Sequence, residues 1–204
     1  MKLKFCGLKT RADAVLVNEF RPEYAGLVFA KSKRRVSRET AADIRKTLDK
    51  SIQAVGVFVN ESVEIIAGLC ADGIIDVVQL HGDEDKRYIN ALKQRVPNEM
   101  IKAIRVKDQS DIEKAAAFSC DYLLFDAYAG SAKGGTGQRF DWKILDHCAV
   151  KKPFFLAGGL TAENIADAAK LSPAPYCLDI SSGIERGGVK NRALMQHIIH
   201  KIND

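Results

Sequence analysis

No apolar run in this 204-residue chain approaches the roughly 20 residues that cross a bilayer, so a membrane-spanning helix is not expected. The opening Met1-Lys2-Leu3-Lys4-Phe5-Cys6-Gly7 is basic but lacks the apolar stretch and small-residue cleavage site of a signal peptide. Cysteine pairing is missing as well. Cys6, Cys70, Cys120, Cys148 and Cys177 are scattered, odd in number and without a C-x-x-C pair, which argues against a disulfide framework or a structural zinc site. Free thiols in a reducing compartment follow, and the cytoplasm is the expected location. No low-complexity segment, strong short repeat or compositional break suggests a linker, so a single domain over residues 1–204 is expected.

The formal net charge is +5, which suits an anionic ligand. The densest basic cluster, Lys31-Ser32-Lys33-Arg34-Arg35, is short and carries no interleaved aromatic ladder. Nucleic acid is therefore not the expected partner. His197 and His200 lie on one terminal helix with no third ligand nearby in sequence, and no metal site is assigned.

What is present is alternation. Short apolar runs at Leu3 to Cys6, Gly26 to Ala30, Ala54 to Val59, Val77 to His81, Ile101 to Val106, Tyr122 to Asp126, Pro153 to Ala157 and Tyr176 to Ile180 read as strands buried on both faces. Segments of helical period separate them. Thr10 with Asp13 and Ser110 with Glu113 have capping-box spacing, while Ser37, Asn60, Thr161 and Asn191 are candidate caps. Pro97 is expected to stop the helix containing Ile89 and Leu92. A doubly wound sheet competes, but eight strands with eight crossovers fit an α/β, single-domain (β/α)₈ TIM barrel, which closes and leaves no edge strand.

Such barrels carry their sites where strand C-termini meet the following loops. Cys6, Gln79, His81, Arg105, Asp126, Asp179, Ser181 and Ser182 all fall at or just beyond those ends. Cys6 is either a thiolate base or nucleophile, or a small buried hydrophobe. Asp126 either caps a turn or exchanges protons, and His81 meets substrate or satisfies backbone. The turns Gly158-Gly159 and Ser181-Ser182-Gly183 follow strands seven and eight, where backbone N–H groups can hold phosphate. Ala127 to Arg139 reads as a glycine-containing cover; its Gly130 to Thr136 stretch is not a nucleotide-binding loop, because no lysine sits between Gly135 and Thr136.

Taken in order, Lys4-Phe5-Cys6-Gly7-Leu8, Lys31-Ser32-Lys33-Arg34, Val57-Phe58-Val59-Asn60, Val78-Gln79-Leu80-His81-Gly82, Leu124-Phe125-Asp126, Gly134-Gly135-Thr136-Gly137, Ala157-Gly158-Gly159-Leu160 and Asp179-Ile180-Ser181-Ser182-Gly183-Ile184-Glu185 resemble the phosphoribosylanthranilate isomerase family of tryptophan biosynthesis. The resemblance spans essentially the full chain. It implies an Amadori rearrangement with Cys6 as general base and Asp126 as general acid, without redox cofactor, metal or nucleotide. It further implies that Arg34 meets the anthranilate carboxylate and that His81 and Asp179 line the sugar site. Phosphate would rest on Gly158, Gly159, Ser181, Ser182 and Gly183. Ala30 and Arg35 depart from the proline and aromatic neighbours usual around that arginine, so Arg35 stands as its alternative. The implied partner is a small phosphorylated aminosugar bound by a monomer or homodimer. A pentose-phosphate epimerase and a catalytically silent phosphate sensor are the competing readings, both disfavoured by the Cys6 and Asp126 pair.

Overall fold

The computed structural model describes residues 1–127, 142–147 and 151–203. Eight parallel strands close into a barrel in chain order: β1 (Lys2–Cys6), β2 (Tyr24–Val28), β3 (Gln53–Phe58), β4 (Val77–Leu80), β5 (Glu99–Val106), β6 (Tyr122–Ala127), β7 (Phe154–Leu156) and β8 (Cys177–Ile180). The ring shuts between β8 and β1, where Lys4 pairs with Asp179 and Phe5 with Ile180. Among the described residues the outer layer holds α1 (Arg11–Phe20), α2 (Arg38–Thr47), α3 (Val63–Ala71), α4 (Lys86–Lys93), α5 (Gln109–Ala115), α6 (Ile165–Ala169) and α7 (Arg192–Asn203). A 3₁₀ helix, Trp142–His147, is the described helix between β6 and β7, where an α-helix was expected. No helix among the described residues is long and apolar enough to cross a membrane.

The strand period of two sorts the side chains. Outward residues such as Phe5, Leu27, Phe58, Leu80, Phe125, Leu156 and Ile180 join Ile44, Leu69, Ile89, Ile165 and Ile198 of the helices in one buried layer. Inward residues form a second, smaller core of Tyr24, Val55, Val77, Ile101, Ala103, Leu124, Phe155 and Cys177. At its floor Tyr24 and Tyr122 pack edge-on against Phe155, with centroids 5.2 and 5.6 Å apart. The next inward position toward each strand's C-terminus is polar on several strands. Thus Val77 is followed by Gln79, Leu124 by Asp126, and Cys177 by Asp179. One alternation produces both the plug and the site.

Helix starts depart from expectation where a better cap lies nearby. Thr10 and Asp13 do form a capping box, and Ser37 and Asn191 accept from Thr40 N and Leu194 N. For α5, however, Asp108 is the cap, accepting from Ser110 N at 2.8 Å, two residues before the expected Ser110. Ser62 caps α3 in place of Asn60, whose backbone is left-handed at φ 52° and whose Oδ1 accepts from Asp83 N. The cap of α6 is Asn164, not Thr161; its Oδ1 accepts from Thr161 N. Helix α4 ends at Lys93, before Pro97 is reached. Strand β2 begins two residues earlier than expected because Tyr24 takes part in the barrel floor.

A buried ion pair fixes the loop beyond β4. Glu84 accepts from Lys102 Nζ at 2.7 Å and also from Asn60 N and Gly82 N. Both side chains are almost wholly buried, so removing one partner would strand a charge at a cost of about 3–5 kcal/mol.

Candidate active site

The C-terminal ends of the strands open into one cavity of about 380 Å³. Its wall includes Cys6 from β1, Gln79 and His81 at the end of β4, Asp126 from β6 and Asp179 from β8. Gly158 and Gly159 after β7, Ser181 and Ser182 after β8, and Arg34 from the β2–α2 connection complete it. The thiol and the carboxyl, 120 positions apart in sequence, thus share a compartment.

Arg35 does not reach that space. It lies in a separate groove with Val36, Ser37 and Glu64, on the helix side of the chain. Arg105 also departs from expectation, lining a neighbouring cavity with Lys102 and Phe118. The expected cover at residues 127–139 lies, beyond Ala127, outside the described residues.

A hydrogen-bonded row connects three of the polar groups. Gln79 Nε2 donates to His81 Nδ1 at 2.9 Å, and His81 Nε2 lies 3.2 Å from Asp126 Oδ2. With Nδ1 accepting, the remaining ring proton sits on Nε2 and points at the carboxylate. Gln79 is 1% exposed, and its Oε1 is buried without a partner among the described residues.

Opposite them, Lys4 is fully buried and donates to Asp179 Oδ2 at 2.7 Å. Burial pushes the Cys6 thiol upward; attraction to Lys4 and Lys190 opposes this, and Asp179 adds to it. Lys4 itself is raised despite its burial, because Asp179 and the Cys6 sulfur both favour the ammonium. Asp179 keeps Oδ1 buried and without a partner among the described residues. Sequence reasoning missed Lys4. Its signal was available, since residues 4 and 6 of one strand must share a face.

The two glycine turns touch. Gly158 and Gly159 adopt φ of 91° and 73°, a region that side chains resist. Gly183 lies in a single 3₁₀ turn, Ser182–Ile184, where a Cβ would sit 2.0 Å from the Leu160 carbonyl oxygen. Gly183→Ala is accordingly expected to push the turns apart at a cost of about 1–3 kcal/mol. A lowered melting temperature and raised KM would register it; an unaltered protein by both measures would mean the contact is slack.

Among the described residues, no three His, Cys, Asp or Glu side chains gather as a metal-binding group. A closed barrel whose polar residues converge at the carboxyl ends of its strands is, as a class, a (β/α)₈-barrel enzyme. Comparison with known proteins narrows the class. Residues 3–201 match the family model described as N-(5′-phosphoribosyl)anthranilate (PRA) isomerase, and the chain belongs to that family. It is an isomerase. A relative called N-(5′-phosphoribosyl)anthranilate isomerase, from Endomicrobium trichonymphae, is 49% identical over 190 residues, covering 93% of this chain and 92% of its own. The crystal structure of phosphoribosyl anthranilate isomerase from Thermotoga maritima is 32% identical with a TM-score of 0.88, covering 100% of this chain and 98% of its own. Another solved isomerase, 31% identical with a TM-score of 0.84 and the same coverage, holds reduced 1-(o-carboxyphenylamino)-1-deoxyribulose 5-phosphate.

Proposed function

We propose that this chain rearranges N-(5-phosphoribosyl)anthranilate to 1-(2-carboxyphenylamino)-1-deoxyribulose 5-phosphate, a step toward L-tryptophan, with Cys6 as general base and Asp126 as general acid. The opening of Cys6 and Asp126 into one cavity is the observation that carries this reading. Asp126 gives its proton to the furanose oxygen as the bond from that oxygen to C1 breaks. The nitrogen lone pair then forms the C1=N bond of a protonated Schiff base. Cys6, as thiolate, takes the C2 proton; its electron pair forms C1=C2 and neutralises the nitrogen. The enolamine gains a proton at C1 and loses the hydroxyl proton at C2, giving the ketone. Proton transfers by positioned groups of this kind contribute roughly 10²–10⁴-fold each.

The rest of the wall supports the same ligand. Gln79 and Asp179 line the cavity with amide and carboxylate groups, the chemistry that sugar hydroxyls meet. Gly158, Gly159, Ser181, Ser182 and Gly183 would take the phosphate on backbone N–H groups, with His81 and Asp179 along the sugar. Arg34 can grip a carboxylate at the mouth. Four described cysteines are free thiols, in keeping with a cytoplasmic enzyme, here taken to act as a monomer or homodimer.

Conversion of phosphoribosylanthranilate by the purified chain, followed by chromatography of the aminoketose, tests the proposal. A rate no greater than the spontaneous one contradicts it. Arg34→Ala should raise KM roughly 10- to 100-fold, the loss of one charge-assisted contact, while Arg35→Ala stays near normal. The reverse pattern would move the carboxylate to Arg35.

A further inference from the structure

Arg34 enters the cavity already gripped along one edge. Its Nε donates to Glu185 Oε1 at 2.8 Å and its Nη2 to Oε2 at 2.7 Å, a bidentate pair. This occupies the Nε side of the guanidinium and, among the described residues, leaves the Nη1 end open to a ligand. The stem is confined too, since a Cβ on Gly7 would lie 2.4 Å from Arg34 Cδ.

Glu185 alone would cancel the charge it positions. Lys190 prevents this. Glu185 and Lys190 face one another in a small antiparallel hairpin, β9 (Glu185–Arg186) with β10 (Val189–Lys190), and Lys190 Nζ donates to Glu185 Oε1 at 2.8 Å. Its other donations go to the carbonyls of Cys6 at 2.6 Å and Ser181 at 3.3 Å. Lys190 and Glu185 therefore neutralise each other, and the row of two cations and one anion keeps one positive charge, carried by Arg34 toward the cavity. Burial pushes the Glu185 carboxyl up, but hydrogen bonds from Arg34 and Lys190 outweigh it and hold the group at about 2, ionised at any working pH.

We propose that the Glu185–Lys190 hairpin pair positions Arg34 for a substrate carboxylate and so sets selectivity for a carboxylated aryl group. This rests on Arg34 as the carboxylate partner. A substrate without that carboxylate cannot use the device, so Glu185 must act on the difference between two substrates. A residue that merely supported the fold would affect both alike.

The test compares kcat/KM for phosphoribosylanthranilate with that for the N-phenyl aminosugar phosphate, which lacks the carboxylate, in the parent chain, Glu185→Gln and Arg34→Ala. The expected result is that Glu185→Gln cuts the preference for the carboxylated substrate about tenfold or more, through KM, as Arg34→Ala does. Combining the two should cut it no further, because both remove one interaction. If Glu185→Gln does not fold, Glu185→Asp, which keeps the charge but draws the guanidinium back, replaces it with the same expectation. Equal losses on both substrates from the Glu185 variant, alongside lost preference in Arg34→Ala, would overturn the positioning role and leave Arg34 in place. Preference retained in Arg34→Ala would overturn the carboxylate reading, and the proposal with it.

Discussion

Cys6→Ala should lose roughly 10²–10⁴-fold in kcat while the barrel remains folded, because the proposed general base is removed and the cavity wall loses only a sulfur. The thiol sits on the last residue of β1, lining the cavity and 9% exposed. Burial raises it above the ordinary thiol range, against the pull of Lys4 and Lys190. A raised base is stronger once deprotonated but scarcer at neutral pH. In the parent chain, kcat/KM should therefore climb with pH through the alkaline range, as the thiolate population grows. In Cys6→Ala that rise should vanish along with turnover. Circular dichroism and a melting curve check the fold, and steady-state rates against pH check the chemistry. A variant with near-normal turnover, or one keeping the same alkaline rise, would assign the base elsewhere.

Asp126→Asn is expected to fall by a comparable factor, for the opposite reason. The amide has the shape of the carboxyl and can still accept from His81 Nε2, which lies 3.2 Å from Oδ2 in the parent. It cannot give up a proton to a sugar oxygen. The defect should thus appear in kcat with KM little changed, the signature of an interaction made in the transition state. Failure to fold would be surprising, since the carboxyl lies at the mouth and is not buried in the core. A large rise in KM with kcat preserved would recast Asp126 as a binding residue. The row from Gln79 through His81 makes a further contrast: Gln79→Ala should weaken the orientation of the acid without abolishing its chemistry.

All eight strands were legible in the sequence, because strands covered on both faces leave continuous apolar runs that a polar background does not hide. The candidate site was legible for the same reason. Cys6, Gln79, His81, Asp126 and Asp179 stand at the ends of those runs, and closure of the barrel brings them together, whereas Arg105 ends a run outside the cavity and Arg34 reaches it from the β2–α2 connection. Caps were less secure. Asp108 and Ser62 each lie two residues from the expected cap, and local hydrogen-bond geometry, not residue type, decides between neighbours. The ionic framework was not legible at all. Lys4 meets Asp179 across the seam between β1 and β8, and Arg34 meets Glu185 across 151 positions. No spacing rule connects such partners, since only the folded ring makes them neighbours. Glu185 lies in the family-like segment, and Lys190, two residues past a Gly-Gly pair, has the sequence context of a solvated lysine.

Soaking the chain with the reduced aminoketose phosphate and solving the complex would decide the matter most directly. The sulfur of residue 6 should then lie beside C2 of the ligand, with the carboxyl of residue 126 against the oxygen on C4. A ligand seated with either group turned away from those atoms would contradict the assignment of base and acid.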